Sequence, residues 1–594
     1  MFKKRFVKLT SLILSLIIML SLVVGCQPKT DDVGNQDVGS QGQVVDNQVD
    51  ENVDKEDETP VVNMMRDAKG ENGVVASAKP EASEVGIEIM KKGGNAIDAA
   101  VATAFALGVV EPNASGLGGG GFMLIRFAET GEEVFLDFRE VAPMLASEDM
   151  YELDEDGKVL NEEQTVGGKA AGVPGEVAGL LMALDKYGSM SREEVMQPAI
   201  DLAENGFLVT DNFSGIIVDN FEKINKFDAT KEIYLKNGLP YEAGDTIKNP
   251  DLANTLRKIA EEGRDGFYKG EVAEDIVKTS QETGGIFTLE DLENYEVKVR
   301  EPVKGTYKGY EIISAPPSSS GGTHVVQLLN ILENYDLKEL GHNTTESLHL
   351  WSEACKLVFA DRGEYMADTD FVDVPLAGLA SKEYAKELTN KIDLNKAAKD
   401  VEFSDPYKYE SGSTTHFSVM DKEGNIVAVT KTINYFFGCG VTVQGRGFIL
   451  NNEMDDFNAK PGTSNSIEPG KKPLSSMTPT IVLKEGKPFL ALGSPGATRI
   501  IPTVAQIISN IIDHGMNVQE AINAPRMFDM RGTLAVEGRM DKEVIKGLEE
   551  LGHEVDVRGD LDPYFGGAQC IMLEESGMLH GGGDPRRDGQ AVGY

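Results

Sequence analysis

Residues 411–432 of the 594-residue chain read SGSTTHFSVMDKEGNIVAVTKT. β-forming residues follow one another from Phe417, the DKEGN segment supplies turn residues, and IVAVT resumes the β-pattern. The stretch therefore predicts a hairpin of two buried strands, residues 417–420 and 426–432. Two threonines open this hairpin, directly after a small and flexible Ser-Gly-Ser. The question is why a buried sheet begins with paired hydroxyl groups.

Threonine can act as a nucleophile when it stands at a chain N-terminus. There its α-amino group, with a reference pKa of about 8, serves as the general base for the hydroxyl. That amine becomes free only if the preceding peptide bond breaks, and in a Gly-Ser-Thr turn the hydroxyl can attack the preceding carbonyl to give an ester that water opens. The residues around Thr414 provide these parts, although paired threonines also occur in ordinary strands.

The order of helix and strand patterns indicates the fold class. Strand patterns cluster toward the two ends of the chain that follows residue 60, and helical patterns lie between them. The strand patterns include residues 122–127, 133–138 and 447–450. Helices are predicted for residues 96–110 and 191–204; the second opens on a serine with two glutamates in its first turn. We therefore expect an α+β protein with layered α/β/β/α packing and one continuous core.

The N-terminal region predicts export. Residues 1–25 join a basic head to an apolar run that falls short of the ~20 residues of a spanning helix, as in a signal peptide. Small residues before Cys26 resemble a bacterial lipobox, which predicts lipidation of that cysteine; an uncleaved anchor helix is the alternative. Residues 26–60 contain ten acidic and no aromatic residues, which predicts a disordered tether. We expect a lipid-anchored protein on the outer face of the cytoplasmic membrane.

Charge and cysteine content exclude several kinds of partner. A formal net charge of −40 argues against nucleic acid, because phosphate binding needs clustered Lys and Arg. Besides Cys26 the chain has three widely spaced cysteines, which predicts no disulfide framework. It has no CxxC pair, HExxH motif or EF-hand loop, and its seven histidines are scattered along the sequence. The sequence therefore predicts no metal site.

Nine sequence blocks, spread over about residues 73–594, resemble the gamma-glutamyltransferases (gamma-glutamyl transpeptidases), a family of N-terminal-nucleophile hydrolases. The nine blocks follow one another in the family's order. They are GGNAIDAAVATAFALGVVEPNASGLGGGGFML (93–124), DFRE (137–140), AAGVPGEVAG (170–179), APPSSSGG (315–322), TTHFSVMDKEGNIVAVT (414–430), LNNEMDDF (450–457), KPLSSMTPT (472–480), GSPGATR (493–499) and DPRRDG (584–589).

The resemblance implies a self-cleaving precursor. Cleavage between Ser413 and Thr414 would give a large subunit, residues 61–413, and a small subunit, residues 414–594, which together build a four-layer αββα sandwich. Thr414 would be the catalytic nucleophile, and Thr432 would orient it. The backbone N–H groups of Gly496 and Ala497 match the family's oxyanion hole. The family usually has two glycines there, so the methyl group of Ala497 is a departure that restricts φ.

The expected substrate contacts follow from the charges of a γ-glutamyl group, which carries an α-carboxylate and an α-ammonium. Arg139 in DFRE can clamp the carboxylate bidentately, and Ser475 and Ser476 can donate hydrogen bonds to it. Without the resemblance, an ion pair with a neighbouring acid would be the default explanation of Arg139. The residues expected to hold the ammonium and its surroundings are Asn434, Glu453 and Asp456.

The implied activity is that of a gamma-glutamyltransferase acting on glutathione and related compounds. Thr414 would attack the γ-carbonyl, hold the γ-glutamyl group as an ester and pass it to water, an amino acid or a peptide. The large and small subunits would act as a heterodimer, and no cofactor would be needed.

Three alternatives stay open at this point. A surface poly-γ-glutamate depolymerase or transpeptidase is favoured by the lipid anchor and by the short segment 457–471. Some members of the family that the chain resembles have a longer insertion there that closes over the substrate, so the resemblance implies an open cleft here. Glu453 and Asp456 oppose it, because an internal residue of the polymer has an amide where free glutamate has an ammonium. The same two acids disfavour an acylase for dicarboxylic side chains. A non-catalytic binding lipoprotein is the alternative from a different class.

Overall fold

Two antiparallel seven-stranded sheets lie at the centre of the computed structural model, which describes residues 66–399, 414–530 and 532–594. The predicted signal peptide, the tether with Cys26, and Ser413 lie outside the described residues. The strands of the described residues are β1 (Ala68–Gly70), β2 (Gly73–Ser77), β3 (Gly120–Arg126), β4 (Glu133–Phe138), β5 (Phe207–Leu208), β6 (Leu235–Lys236), β7 (Leu239–Pro240), β8 (Thr246–Ile247), β9 (Lys298–Arg300), β10 (Val303–Tyr307), β11 (Tyr310–Ser314), β12 (Thr414–Asp421), β13 (Ile426–Thr432), β14 (Thr480–Lys484), β15 (Lys487–Leu492), β16 (Met527–Phe528), β17 (Thr533–Val536), β18 (Glu554–Val557), β19 (Gln569–Leu573), β20 (Leu579–Gly583) and β21 (Gln590–Gly593).

The order of the strands interleaves distant parts of the chain. The first sheet has the order β1-β20-β19-β15-β14-β11-β10, and the second has the order β21-β2-β12-β13-β3-β4-β9. A three-stranded sheet, β16-β17-β18, and the strand pairs β5-β8 and β6-β7 complete the strand pairing of the described residues. Strands from before and after residue 414 are therefore neighbours in both large sheets.

Helices surround the two sheets. Ala96–Val110 forms a helix with the predicted bounds, and the helix predicted for residues 191–204 begins after a capping box between Ser191 and Glu194. In the described part of the chain, no helix combines the length and the apolar character that a membrane crossing requires. The helices are α1 (Pro80–Lys91), α2 (Ala96–Val110), α3 (Glu176–Tyr187), α4 (Arg192–Asn205), α5 (Asp211–Asp219), α6 (Phe221–Lys226), α7 (Asp228–Tyr234), α8 (Pro250–Glu262), α9 (Asp265–Tyr268), α10 (Gly270–Glu282), α11 (Leu289–Glu293), α12 (Gly321–Leu332), α13 (Leu337–Leu340), α14 (Thr345–Tyr365), α15 (Leu376–Leu379), α16 (Lys382–Thr389), α17 (Ile500–Ile512), α18 (Val518–Asn523) and α19 (Lys542–Glu550).

Side-chain alternation along the central strands separates the layers. Phe417 and Val419 of β12 join the cluster that contains α1 and α2, on the outer face of the second sheet. On the opposite face of β12, Ser418 donates a hydrogen bond to the carbonyl of Gln569 in β19 of the first sheet (3.1 Å). Helices α12 and α17 pack on the first sheet. The predicted α+β architecture with four αββα layers is confirmed.

The predicted hairpin is the pair β12–β13, at the centre of the second sheet. The pairing register sets Thr414 opposite Thr432, and β2 and β3 flank the hairpin on its two sides. Strand β12 begins at Thr414 rather than at residue 417, since the two threonines also pair with β13. The ladder therefore fixes the relative position of the first and last hydroxyl-bearing residues of the hairpin.

Candidate active site

Thr414 begins β12 at the edge of the gap between the two sheets. Its side-chain hydroxyl lies 3.3 Å from that of Thr432, and both residues are buried. The backbone N–H of Asn434 donates to Thr432 Oγ1 (2.8 Å), and Arg587 Nη1 donates to the carbonyl oxygen of Thr414 (2.8 Å). Thr414 is therefore held at its backbone and at its hydroxyl, as a fixed nucleophile requires.

The predicted oxyanion-hole residues lie in a tight turn before α17. Gly496 has φ = 129°, and Ala497, which lines the same cavity as Thr414, has φ = 51°. The left-handed region costs a residue with a Cβ atom about 1–2 kcal/mol relative to glycine. The departure noted in the sequence thus falls at a position where a side chain is strained, and the surrounding structure must hold the turn in place.

Arg139 follows β4 directly and points into the same cavity. Its guanidinium contacts the carboxylates of Glu453 and Asp456, and its Nε donates to the carbonyl of Pro473 (3.3 Å). Only 1% of Arg139 is exposed. A third carboxylate, that of Glu140, lies 3.7 Å from Arg139 Nη1. Arg139 is thus neutralised by acids of its own chain.

The acids around Arg139 outnumber its single positive charge. Burial raises the pKa of Glu140 to about 8, although the guanidinium of Arg139 opposes the shift. Burial raises the pKa of Glu453 and of Asp456 as well, again against the effect of Arg139. Burial by itself would lower the pKa of Arg139, but the adjacent Glu453 and Asp456 reverse this and raise it. Burial thus disfavours the charged forms of these acids, and a second cation beside them, such as the ammonium of an α-amino acid, would favour those forms.

The paired serines lie opposite Arg139, and the structure adds a second arginine to them. Arg362, near the end of α14, donates from Nη2 to Ser476 Oγ and from Nε to Ser320 Oγ, both at 2.9 Å. Ser320 in turn donates to the carbonyl of Ser475 (2.8 Å). Sequence reasoning missed Arg362, because a cation in the last turn of a helix is also explained by the helix dipole.

Nine of the predicted site residues line one small cavity, and Gly496 precedes one of them, Ala497, without lining the cavity itself. The space between them measures about 20 Å³, enough for about one water molecule. The short segment 457–471 is held by local hydrogen bonds: Asn465 Nδ2 donates to the carbonyl of Asp456 (2.7 Å) and Lys471 Nζ to that of Ser466 (3.0 Å). The open cleft that its length predicts stays a prediction. The residues that line the cavity include Arg139, Arg362, Thr414, Thr432, Asn434, Glu453, Asp456, Ser475, Ser476 and Ala497.

The ion pairs that line this small cavity determine which ligands can bind to Arg139. An α-carboxylate can reach Arg139 only if the guanidinium gives up part of its contact with Glu453 and Asp456. An incoming α-ammonium can replace Arg139 as the partner of those acids. A zwitterion therefore exchanges one set of ion pairs for another, whereas an anion alone would leave two buried carboxylates without a cation.

The described residues also contain one group of possible metal ligands, His349, Glu353 and His553. His349 and Arg362 both belong to α14, and at 1.5 Å per residue they lie about 20 Å apart along the helix axis. The group is therefore separate from the cavity around Thr414. The scattered histidines of the sequence gave no sign that His349 and His553 meet.

The stacked sheets, with a threonine at the start of a central strand, define an N-terminal-nucleophile hydrolase. The sequence profile of the gamma-glutamyltranspeptidase family matches residues 82–594. A glutathione hydrolase proenzyme of Escherichia coli (strain K12) is 45% identical over 543 residues, 89% of this chain and 92% of that protein. The acylase ACY 1 proenzyme of Pseudomonas sp. (strain SE83) is 42% identical over 530 residues, 88% of this chain and 94% of that protein.

Among solved structures, cephalosporin acylase from Bacillus halodurans superposes with a TM-score of 0.81 and 29% sequence identity, over 91% of this chain and 99% of that chain. The chain belongs to the gamma-glutamyltranspeptidase family. The resemblance stated from the nine sequence blocks is thereby confirmed.

Proposed function

We propose that the protein is a self-cleaving gamma-glutamyltransferase that acts on glutathione and related γ-glutamyl compounds. The precursor cuts itself between Ser413 and Thr414 and matures to a heterodimer of large and small subunits. The mature enzyme passes the γ-glutamyl group to water, an amino acid or a peptide. The observation that carries the proposal is a pocket with charges for both ends of an α-amino acid, directly beside the Thr414 hydroxyl.

The geometry supports the following sequence of steps. The α-amine of the mature Thr414 takes the hydroxyl proton while Oγ1 bonds to the carbonyl carbon of the γ-glutamyl amide, and the carbonyl oxygen becomes an oxyanion near Gly496 and Ala497. The C–N bond then breaks, and the ammonium returns its proton to the leaving amine. Water or an acceptor amine next attacks the γ-glutamyl ester and loses a proton to the same α-amine. Thr414 Oγ1 leaves with a proton, which restores the enzyme.

An acylase for dicarboxylic side chains is the competing activity, since relatives named acylases share the fold and much of the sequence. A glutaryl group has the free carboxylate of a γ-glutamyl group but no ammonium. Glu453 and Asp456 would then lose their contact with Arg139 and gain nothing in exchange. The pocket therefore favours the amino-bearing acyl group.

Exchange of Asp456 for Asn tests this choice. We expect kcat/KM for γ-glutamyl p-nitroanilide to fall about 10–150-fold, because a hydrogen bond to a charged group is worth about 1.5–3 kcal/mol. The loss should fall mainly on KM, and hydrolysis of glutaryl p-nitroanilide should stay unchanged or rise. Steady-state kinetics measures the ratio of the kcat/KM values for the two anilides.

Asp455→Asn is the matched control, because this neighbouring carboxyl interacts with Tyr435 instead of Arg139. It should leave the preference between the two anilides unchanged. Equal losses on both anilides in the Asp456 variant would refute a role in holding the ammonium. A wild-type preference for the glutaryl compound would favour the acylase.

We also propose that the protein is exported and held by a lipid on Cys26 at the outer face of the cytoplasmic membrane. The basic head, the apolar run, the small residues before Cys26 and the acidic tether support this. The wild type should sediment with membranes, and a Cys26→Ser variant should lose the lipid mass at its N-terminus. If both proteins keep an intact residue 1 by mass spectrometry, the N-terminal segment is an uncleaved anchor instead.

A further inference from the structure

A buried pair of histidines joins two regions of the chain that are far apart in sequence. His349 Nδ1 lies 2.7 Å from His553 Nε2, and their ring centroids are 5.0 Å apart. The exposed fractions are 1% for His349 and 6% for His553. Glu353, one helical turn after His349 on α14, is 4% exposed. One potential ligand atom from each of the three lies within 4.8 Å of the other two.

The surroundings of His349 fix which of its nitrogens can bind a cation. Its Nε2 lies 2.8 Å from the backbone carbonyl of Asp393, which can only accept a hydrogen bond. Nε2 therefore carries the proton, and the lone pair of Nδ1 points at His553. Metal-binding histidines are typically oriented in this way, with the second ring N–H donated to a carbonyl or carboxylate.

His553 has an equivalent arrangement available. Its Nδ1 lies 3.4 Å from Ser352 Oγ, which itself donates to Asp529 Oδ2 (2.6 Å). With its proton on Nε2, His553 donates to His349; with the proton on Nδ1, it faces Ser352 and leaves the Nε2 lone pair free. A change of tautomer thus directs both imidazole lone pairs to one point, with no net loss of a proton.

The acidic side chains supply the charge that a cation needs. Lys356 Nζ lies 2.7 Å from Glu353 Oε1 and 3.7 Å from Asp529 Oδ2. Glu353 therefore contributes a negative charge to the cluster, with one of its oxygens, Oε1, in an ion pair with Lys356. The N–H of Ala398 lies 3.2 Å from Oε1 and 3.3 Å from Oε2, and Oε2 is the oxygen outside the ion pair with Lys356.

We propose that His349, Glu353 and His553 form a binding site for a divalent transition metal of the zinc type. Two imidazoles and one carboxylate are ligands that Zn²⁺ and Co²⁺ accept, and a water molecule would complete a tetrahedral shell. The ring nitrogens, now at hydrogen-bond distance, need to move apart by only about 0.6 Å, because ligands about 2.0–2.1 Å from a tetrahedral zinc are about 3.3 Å from each other. The site lies about 20 Å along α14 from Arg362, so it serves structure and not the acyl-transfer reaction.

One consequence rests on the proposed function. If the chain is cut between Ser413 and Thr414, His349 and Glu353 belong to the large subunit and His553 to the small one. The metal would then clamp the two subunits together, close to residues 393–398, the last described part of the large subunit before the cut. The metal site itself does not depend on the cut.

Metal binding by the purified full-length protein tests the proposal. After treatment with a chelator and dialysis, the protein is titrated with Co²⁺ and, separately, with Zn²⁺. We expect one metal per protein by elemental analysis and the visible absorption of tetrahedral Co²⁺. Zinc should raise the urea midpoint for unfolding, since it binds the folded state. An uncut Thr414→Ala protein should bind equally well, which separates this test from that of the proposed function.

His553→Gln should weaken binding at least about 100-fold, since loss of a ligand exceeds the 10–100-fold cost of losing a ligand's hydrogen-bond partner. Glu353→Gln, which keeps the size of the side chain, is the second variant in case the first does not fold. His514→Gln is the matched control, because His342 and His514 form an edge-on pair of the same geometry (5.1 Å, 70°) as His349 and His553 (5.0 Å, 70°). Equal binding by all variants, or no stoichiometric metal in the wild type, would overturn the proposal.

Discussion

Exchange of Thr414 for Ala is expected to leave one uncut chain that releases no p-nitroaniline from γ-glutamyl p-nitroanilide. The variant lacks both the hydroxyl that attacks the preceding carbonyl and the nucleophile of the mature site. Loss of a nucleophile typically leaves only a small fraction of the activity, so we expect kcat/KM to fall at least about 10⁴-fold. Intact mass spectrometry measures the cut, and absorbance measures the release.

Two variants show whether the effect belongs to the hydroxyl. Thr414→Ser keeps the nucleophile and should still cut and turn over. Ser418→Ala removes a hydroxyl from the same face of the same strand. This hydroxyl donates a hydrogen bond to the carbonyl of Gln569, and the variant should mature normally. An alanine variant that still splits at residue 414, or a wild type that releases the anilide without splitting, would contradict the proposed mechanism.

Arg139→Lys has the second largest expected effect. Lysine keeps the positive charge that Glu453 and Asp456 require but cannot bind a carboxylate through two parallel N–H donors. We expect KM for γ-glutamyl p-nitroanilide to rise about 100-fold, near the upper end of the range for one lost charged hydrogen bond, with a smaller change in kcat, because two charged hydrogen bonds to the substrate are replaced by one. Steady-state kinetics separates the two constants.

Arg300→Lys is the control for the loss of a guanidinium. Arg300 pairs with Asp137 and Asp370 at 2.6 and 3.0 Å but does not line the cavity. It should change thermal stability without raising KM. An Arg139→Lys enzyme with an unchanged KM would place the α-carboxylate elsewhere. Arg139→Gln is less informative, because it leaves buried carboxylates unpaired at a cost of about 3–5 kcal/mol.

The centre of the fold follows closely from the sequence. The β-pattern and the turn residues predict the hairpin, and the ladder then requires Thr414 and Thr432 to lie side by side. Residues 447–450 show the limit of this reasoning. They were predicted as a strand, but they form only isolated bridges, through Ile449 to Thr442 and through Leu450 to Gly118. A short apolar run satisfies its hydrogen bonds in either way, and only the tertiary neighbours decide which.

The structure brings together the residues that charge complementarity predicts for the site, and it adds a residue that acts through others. Arg139, Glu453 and Asp456 follow from the charges of the substrate together with the family motifs. Arg362 donates a hydrogen bond to Ser476, which lies 114 residues later in the sequence. The residues next to Arg362 do not distinguish it from a cation that merely ends a helix. His349 and His553 are 204 residues apart, so their contact belongs to the fold and not to any motif.

The interleaved strand order has a further consequence for assembly. In the second sheet β12 and β13, from one side of the proposed cut, lie between β2 and β3, from the other side. Neither fragment has a complete sheet of its own, and each would expose long unpaired strand edges if it were made alone. Synthesis as one chain keeps the two parts at high effective concentration until the sheets have formed. Cleavage after the sheets have formed does not lead to dissociation on dilution, because separation of the two fragments would require the whole core to unfold.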